Sequence, residues 1–453
     1  MKRPCCISLR LDNMQTLDMI ARIQELLSLK SIHEYEIFVA STDKLRVEAK
    51  DGAVHSLDRA AETGLSLRIL LEGAFGFAYG RSPDEELVDA AMLSARHQFT
   101  DEFNHIPQAI GDPSELDVYD ERIAQAGTDV CIERAIEMEA AARAVDRRIQ
   151  QVRKASFGRA IAHVHLVNSK GISVSARATT CSASIMVMAK EGDDMQAGYE
   201  FGFSHTWPDI DVSWIGSEAS RKATSMLGAR HIKTMRLPIL FDNAATADML
   251  GIIGESFLGE NVVKGKSYLK DKLGMPCFSA AINLNDNPLD QQAADARGFD
   301  GEGMPSQNTI LVENGVLKGY VYDSYWAKVA KTASTGNAVR GGYRSVPGLG
   351  LRHLCLKPSD KDGVGHDGLG QVLKVTDIMG LHMADPISGE FSVGVNGFLL
   401  QDGQVLYPVR EAALAGNIFE MFTRVLALGN DVRAFGSVKC PSVLIDAMDI
   451  SSK

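Results

Sequence analysis

No run of apolar residues in this 453-residue chain approaches the ~18 needed to cross a bilayer as a helix, so no membrane role is expected. No two cysteines stand at a C-x-x-C spacing. The seven (Cys5, Cys6, Cys131, Cys181, Cys277, Cys355, Cys440) are odd in number and scattered, which argues against a disulfide framework and fits a reducing cytoplasm. Lysine and arginine form no block or tail, and 47 basic against 58 acidic residues leave a net charge of −11. The electrostatic footprint of a nucleic-acid-binding protein is therefore missing. The first apolar stretch is broken by Arg10 and Asp12 before a signal-peptide core can form, and residues 1–13 are expected to be a disordered extension. Nucleotide loops are absent too. There is no G-x-x-x-x-G-K-[ST], and Gly348-Leu349-Gly350 lacks the third glycine and following helix of a dinucleotide site; no G-x-S-x-G elbow occurs.

What is present is a long, 45% hydrophobic chain that exceeds the ~250 to 300 residues at which single cores stop growing, so two or more domains are expected. An α+β domain is expected over residues 14–230 and a β-rich one over 231–453. The first begins with an amphipathic helix whose apolar positions Met19, Ile20, Ile23, Leu26 and Leu27 recur at helical spacing. Residues 44–50 then alternate strictly, placing Leu45, Val47 and Ala49 on one face, and Asp51-Gly52 ends the run as a hairpin turn. Further strands are read at 65–71 and 76–79. At 82–85, Ser82-Pro83-Asp84-Glu85 reads as a helix start with Ser82 as cap and acids at the positive end of the dipole.

The pattern recurs with a helix over 128–149, expected to turn Ile132, Ala135, Ile136, Ala142 and Val145 inward, followed by strands at 151–156, 159–167, 172–178 and 184–189. A helix followed by a meander, twice over, points to a duplicated unit. Residues 218–236 read as a linking helix and crossover. Beyond them the chain is glycine-rich, with hairpin turns at Asn314-Gly315 and Asp402-Gly403, a last helix over 417–428 and a terminal strand near 442–446. The second half is thus expected to be a curved, largely antiparallel sheet with a few helices.

Metal-binding spacings are few. His33-Glu34 opens like a zinc-peptidase signature but HEYEI has no second histidine. His163 and His165 share one side of a strand, which could clamp an ion, although no third ligand is identifiable. The run 283–288 looks like a calcium loop but has Pro288 where the sharp turn needs glycine and Ala294 where the bidentate glutamate belongs.

Four segments carry a resemblance: residues 241–274 (FDNAATADMLGIIGESFLGENVVKGKSYLKDKLG), 298–328 (GFDGEGMPSQNTILVENGVLKGYVYDSYWAK), 332–345 (TASTGNAVRGGYRS) and 385–432. In their order the chain resembles the TldD/PmbA family of bacterial peptidases, and its ending GSVKCPSVLIDAMDI is similar to the PmbA branch, also called TldE. In the catalytic branch the helix within the first segment carries a His-Glu-x-x-x-His motif that holds zinc. Here Leu250, Gly251 and Glu255 fall at that motif, and the segment contains no histidine. Leucine has no lone pair to give and a solitary carboxylate makes a weak site, so no metal is expected to be held there. That branch also uses a cysteine ligand near its C-terminus. Cys440 lies several residues late for that role and is expected to be a buried free thiol.

The resemblance implies an accessory, non-catalytic subunit of a cytoplasmic heterodimeric zinc metallopeptidase. A homologous motif-bearing chain would supply zinc, and unfolded peptides, such as modified antibacterial peptide precursors and protein antitoxins, would be the substrates. It also implies a substrate cleft bordered by Glu255, Glu260 and Asn261 at the helix end, and by Gly336, Asn337 and Arg340 in the glycine-rich loop 332–344, where an extended peptide could pair with the backbone. The alternatives are a stand-alone metal-dependent hydrolase, for example through His163 and His165 with a distant carboxylate, and a peptide-binding regulatory homodimer.

Overall fold

The turn dipeptides set the hairpins. In the computed structural model, which describes residues 5–360, 364 and 368–452, both central residues of Asp51-Gly52 (φ 55° and 74°), Asn314-Gly315 (49° and 78°) and Asp402-Gly403 (47° and 81°) are left-handed. That is the type I′ geometry whose twist matches the flanking strands. Glu72-Gly73 (50° and 82°) makes a fourth such turn without the usual Asn or Asp.

Between these turns the strands are longer than the sequence pattern indicates. The expected strands at 44–50, 65–71 and 76–79 extend into Tyr35–Lys50, Ala53–Leu71 and Ala74–Gly80; in the second unit 151–156 and 159–167 merge into Ile149–Asn168, 172–178 and 184–189 merge into Ser173–Glu191, and Asp194–Ser204 is a further strand. Register shifts between Glu48 and Ala49, Ile149 and Gln151, and Val152 and Lys154 bend the strands without ending them. Each unit is helix, three strands, helix: Cys5–Leu29 to Glu85–Arg96, then Thr128–Val145 to Val212–Ser225. The backbone is helical from Cys5, inside the stretch expected as an extension. The two units are joined edge to edge. Tyr35–Lys50 pairs antiparallel with Ile149–Asn168 along nearly its whole length, giving one six-stranded sheet with the two first strands at its centre.

Packing follows from this duplication. Met19, Ile20, Ile23, Leu26 and Leu27 of the first helix are buried against Ile37, Val39, Leu65, Leu67 and Ile69. Leu45, Val47 and Ala49 are buried in the second core with Ala135, Met138, Ala142 and Phe157. Three local readings change. Val145 points outward because it ends the helix, the first-unit helix is capped by Asp84, whose carboxylate accepts from Leu87 N at 3.1 Å, rather than by Ser82, and the linking helix starts earlier, behind the Asp211 cap.

The second half is built on a sheet that curls until it closes. Strands Gln404–Asn417, Glu390–Gln401, Gln371–Met379, Met235–Phe241 and Val443–Ser452 follow one another, and Ala412 to Leu414 pair with Ile450 to Ser452 to complete the ring. Val425–Leu428 extends it as a strand, so the expected last helix is only Ile418–Thr423. A second six-stranded sheet contains Leu284–Asp286, Leu354–Leu356 and Val438–Cys440 side by side. The helix Asn243–Gly254 packs between these sheets, and the largest core of the molecule surrounds it. No helix among the described residues is long and apolar enough to cross a membrane.

Candidate functional site

The helix Asn243–Gly254 starts where Asp242 caps it, its carboxylate accepting from Ala245 N at 2.9 Å. Burial raises the Asp242 carboxyl to about 6. The helix is apolar on nearly every side, as a helix inside a core must be. Leu250 is wholly buried together with Met249 and Ile253, whereas Gly251 faces open space and Glu255 is exposed. The α-helix stops at Gly254 and Glu255 begins the 3-10 turn Glu255–Phe257, so positions 250 and 255 do not share one continuous helix face. Around Leu250 the surroundings are hydrocarbon. These residues do not fit a zinc ion, because no two donors converge.

Glu255, Glu260 and Asn261 stay at the surface beyond the helix end. The Asn261 amide donates to the Glu255 carbonyl at 2.8 Å, and Glu260 pairs with Lys264 one helical turn on at 2.5 Å. The loop 332–344 is arranged otherwise. Gly336 has φ 71°, and a Cβ there would lie 2.4 Å from the Pro305 carbonyl oxygen, so a side chain is excluded twice over. Asn337 is 1% exposed and donates to Asp286 Oδ2 at 2.6 Å and to the Gly350 carbonyl at 3.1 Å. The Asn337 carbonyl in turn accepts from Gly350 N at 3.0 Å. Arg340 is turned into the junction between the two halves.

That junction is a buried ionic network. Glu36 on the first strand binds both Arg68 and Arg340, and Arg68 binds Glu302 at 3.2 Å. Glu302 Oε2 in turn accepts from Ser324 N at 3.0 Å, and Arg340 Nε donates to the Gly301 carbonyl at 3.1 Å. The guanidiniums lie over Phe75 and Phe38. Burial opposes the Glu36 charge, yet Arg340 and Arg68 hold its carboxyl below the usual range. Asp300 and Asp323, left without a guanidinium, are each raised to about 7 by burial and by the charge of Glu302. Two arginines cannot neutralise four buried acids, so two of the acids are pushed toward the neutral form. Tyr343 and Arg344 extend the clamp by binding Glu62, and Gly64 makes room for the Tyr343 ring.

One cluster was not legible in the sequence. Asp290, His353 and Cys355 bring a carboxylate oxygen, an imidazole nitrogen and a sulfur within 4.8 Å of one another, the one such group of three or more among the described residues. His353 and Cys355 are two apart on an extended chain, so they share a face. Asp290 comes from a loop 63 positions earlier, which no spacing rule connects. Burial lowers the His353 imidazole to about 4 and raises the Cys355 thiol to about 12. The pair His163 and His165 is half-buried on its strand and belongs to no such cluster. Cys440 is buried, its thiol donating to the Asn243 carbonyl at 3.2 Å.

Three family models match in succession: PmbA/TldA metallopeptidase domain 1 over residues 35–95, the central domain over 121–227 and the C-terminal domain over 234–452. The chain belongs to the PmbA/TldD metallopeptidase family. The first family domain covers the first meander and the helix after it but not Cys5–Leu29, and the second spans the whole second unit. Among PmbA/TldD relatives, Metalloprotease PmbA of Escherichia coli O157:H7 is 27% identical over 428 residues, which are 92% of each chain. An uncharacterised protein of Methanocaldococcus jannaschii is 29% identical over 414 residues, 91% of this chain and 95% of its own. TldE of Thermococcus kodakarensis has the same fold, with a TM-score of 0.88 at 22% identity over 95% of this chain and all of that one.

Proposed function

We propose that this PmbA/TldD chain is the non-catalytic, TldE-type subunit of a heterodimeric metallopeptidase acting on unfolded peptides in the cytoplasm. The observation that supports this is at the helix Asn243–Gly254. Leu250 contributes hydrocarbon to the core, Gly251 has no side chain, and Glu255 stands alone at the surface. A catalytic zinc needs about three converging protein ligands and a base for its water, and this helix offers neither. A homologous chain bearing the histidine motif would bring the ion, the water and the base. This chain would then shape the peptide entrance with the surface of Glu255, Glu260 and Asn261 and the backbone near Gly336.

The test is co-expression with a motif-bearing homologue from the same genome. A stable complex is expected, with chelator-sensitive cleavage of an unfolded peptide by the complex and none by this chain alone. Failure to form a complex, or chelator-sensitive turnover by the lone chain, would overturn the proposal. The cluster of Asp290, His353 and Cys355 is the specific observation that favours the second reading, a stand-alone metal-dependent hydrolase.

A further inference from the structure

The strand Leu354–Leu356 lies between Leu284–Asp286 and Val438–Cys440, and its two faces have opposite chemistry. Leu354, Leu356 and Cys440 are buried in the large core on the side of the helix Asn243–Gly254. Side chains alternate along a strand, so His353, Cys355 and Lys439 emerge on the other side. The loop after Leu284–Asp286 curls across that face. Asn287 N donates to the His353 carbonyl at 2.8 Å, Asp290 N donates to the Asn287 carbonyl at 3.1 Å, and the Asp290 carboxylate is held by Gln292 N at 2.9 Å. This places Asp290 Oδ2 3.9 Å from His353 Nε2.

The imidazole is the anomaly. His353 is fully buried, and neither ring nitrogen has a hydrogen-bond partner among the described residues. A buried polar group left unsatisfied is costly, so a native structure retains one only for a reason. Asn287 Oδ1 is a second buried atom in the same condition, and Asn287, Asp290, Cys355 and Lys439 all line one cavity of about 360 Å³. Donors around a tetrahedral zinc, at about 2.0–2.3 Å from the ion, stand roughly 3.3–3.8 Å apart, so a contraction of about 1 Å would suffice. Imidazole, thiolate and carboxylate together are the donor set of that ion class. At present Lys439 Nζ holds Asp290 Oδ2 at 2.7 Å, and its side chain is 24% exposed, enough to swing into solvent.

We infer that Asp290, His353 and Cys355 form a site for one zinc-class divalent cation, its fourth position open to the cavity, and that the Lys439 ammonium occupies the cation's place when no metal is bound. On binding, the Cys355 S–H proton leaves to solvent as the sulfur–metal bond forms, and the ammonium releases the carboxylate. The site is inferred independently of the accessory-subunit proposal.

The experiment is titration of the chelator-stripped full chain with Co²⁺, followed by absorbance, and then with Zn²⁺. One equivalent is expected to bind with a thiolate-to-cobalt charge-transfer band that Zn²⁺ abolishes. Cys355→Ser should remove the band and weaken binding at least as much as the roughly 10- to 100-fold seen for lost outer-shell partners. Lys439→Gln, a partly exposed position, should tighten binding by about tenfold through loss of the competing charge. No saturable binding, a cobalt spectrum without the sulfur band, or affinity indifferent to both substitutions would overturn the site. A zinc-loaded lone chain that cleaves unfolded peptides would instead overturn the accessory-subunit proposal while upholding the site. Lack of metal binding would leave that proposal untouched.

Discussion

Asp323 shows how one residue can couple this fold to pH. Its carboxylate caps the helix Ser324–Val329 by accepting from Trp326 N at 2.8 Å, but burial and the neighbouring Glu302 raise it to about 7. A carboxyl whose folded value lies above its unfolded one favours the folded state at low pH. The stability it adds is complete below about pH 4 and is lost as pH rises through about 7. Asparagine caps as well as aspartate and carries no charge. Asp323→Asn is therefore expected to gain ~1–2 kcal/mol over the natural chain at pH 8 and almost nothing at pH 4.5, as read by urea unfolding at both pH values. A gain of equal size at both would contradict the assignment. Sequence reasoning about single residues did worst in the loop 332–344. Asn337 and Arg340 are polar and flanked by glycine, the signature of a surface loop, yet their partners lie far off, at Asp286 and Glu36. Burial created by distant partners leaves no local trace.

Helices and strands were more legible, because their signals are periodic or stereochemical. The Asp-Gly and Asn-Gly turns adopt the positive φ values their composition favours, and the apolar face of residues 19–27 is buried as its spacing predicts. The errors lie at the ends of elements and at 157–158 and 179–183, where strands read as separate continue in unbroken register. The helix Asn243–Gly254 allows a direct test at this scale. Gly251 sits in its interior facing open space, so it bears the entropic cost of glycine with no packing reason for it. Gly251→Ala is expected to raise stability by ~0.5–1 kcal/mol in thermal or urea unfolding. Gly254 differs, since a Cβ there would meet Leu351 at 2.8 Å. Gly254→Ala should be neutral or destabilising, and the contrast between the two glycines is the control. If Gly251→Ala destabilises, its outer face is packed against something.

The whole molecule is held together through charge as well as hydrocarbon. Arg340 joins the glycine-rich loop of the second half to Glu36 on the central strand of the first, each side chain only 1% exposed. Removing Arg340 leaves Arg68 alone to balance the buried Glu36 and Glu302, so Arg340→Met is expected to cost ~3 kcal/mol, measurable as a lower urea midpoint. If the loss is confined to the second half, the halves unfold separately. If it is global, the junction makes them one cooperative unit. Architecture was readable at this scale because the helix-and-meander pattern repeats, whereas the closure of the second-half sheet, made by its last strand pairing with Gln404–Asn417, could not be read from local pattern. The seam between Tyr35–Lys50 and Ile149–Asn168 has its own consequence. The chain between the two units, from His97 to Asp120, contains neither helix nor strand, while the seam it spans is backbone-bonded almost end to end. Covalent continuity is thus nearly redundant there: a single nick in that connector would give two polypeptides still zipped into one particle, and the gene could be split at that point into two complementing pieces.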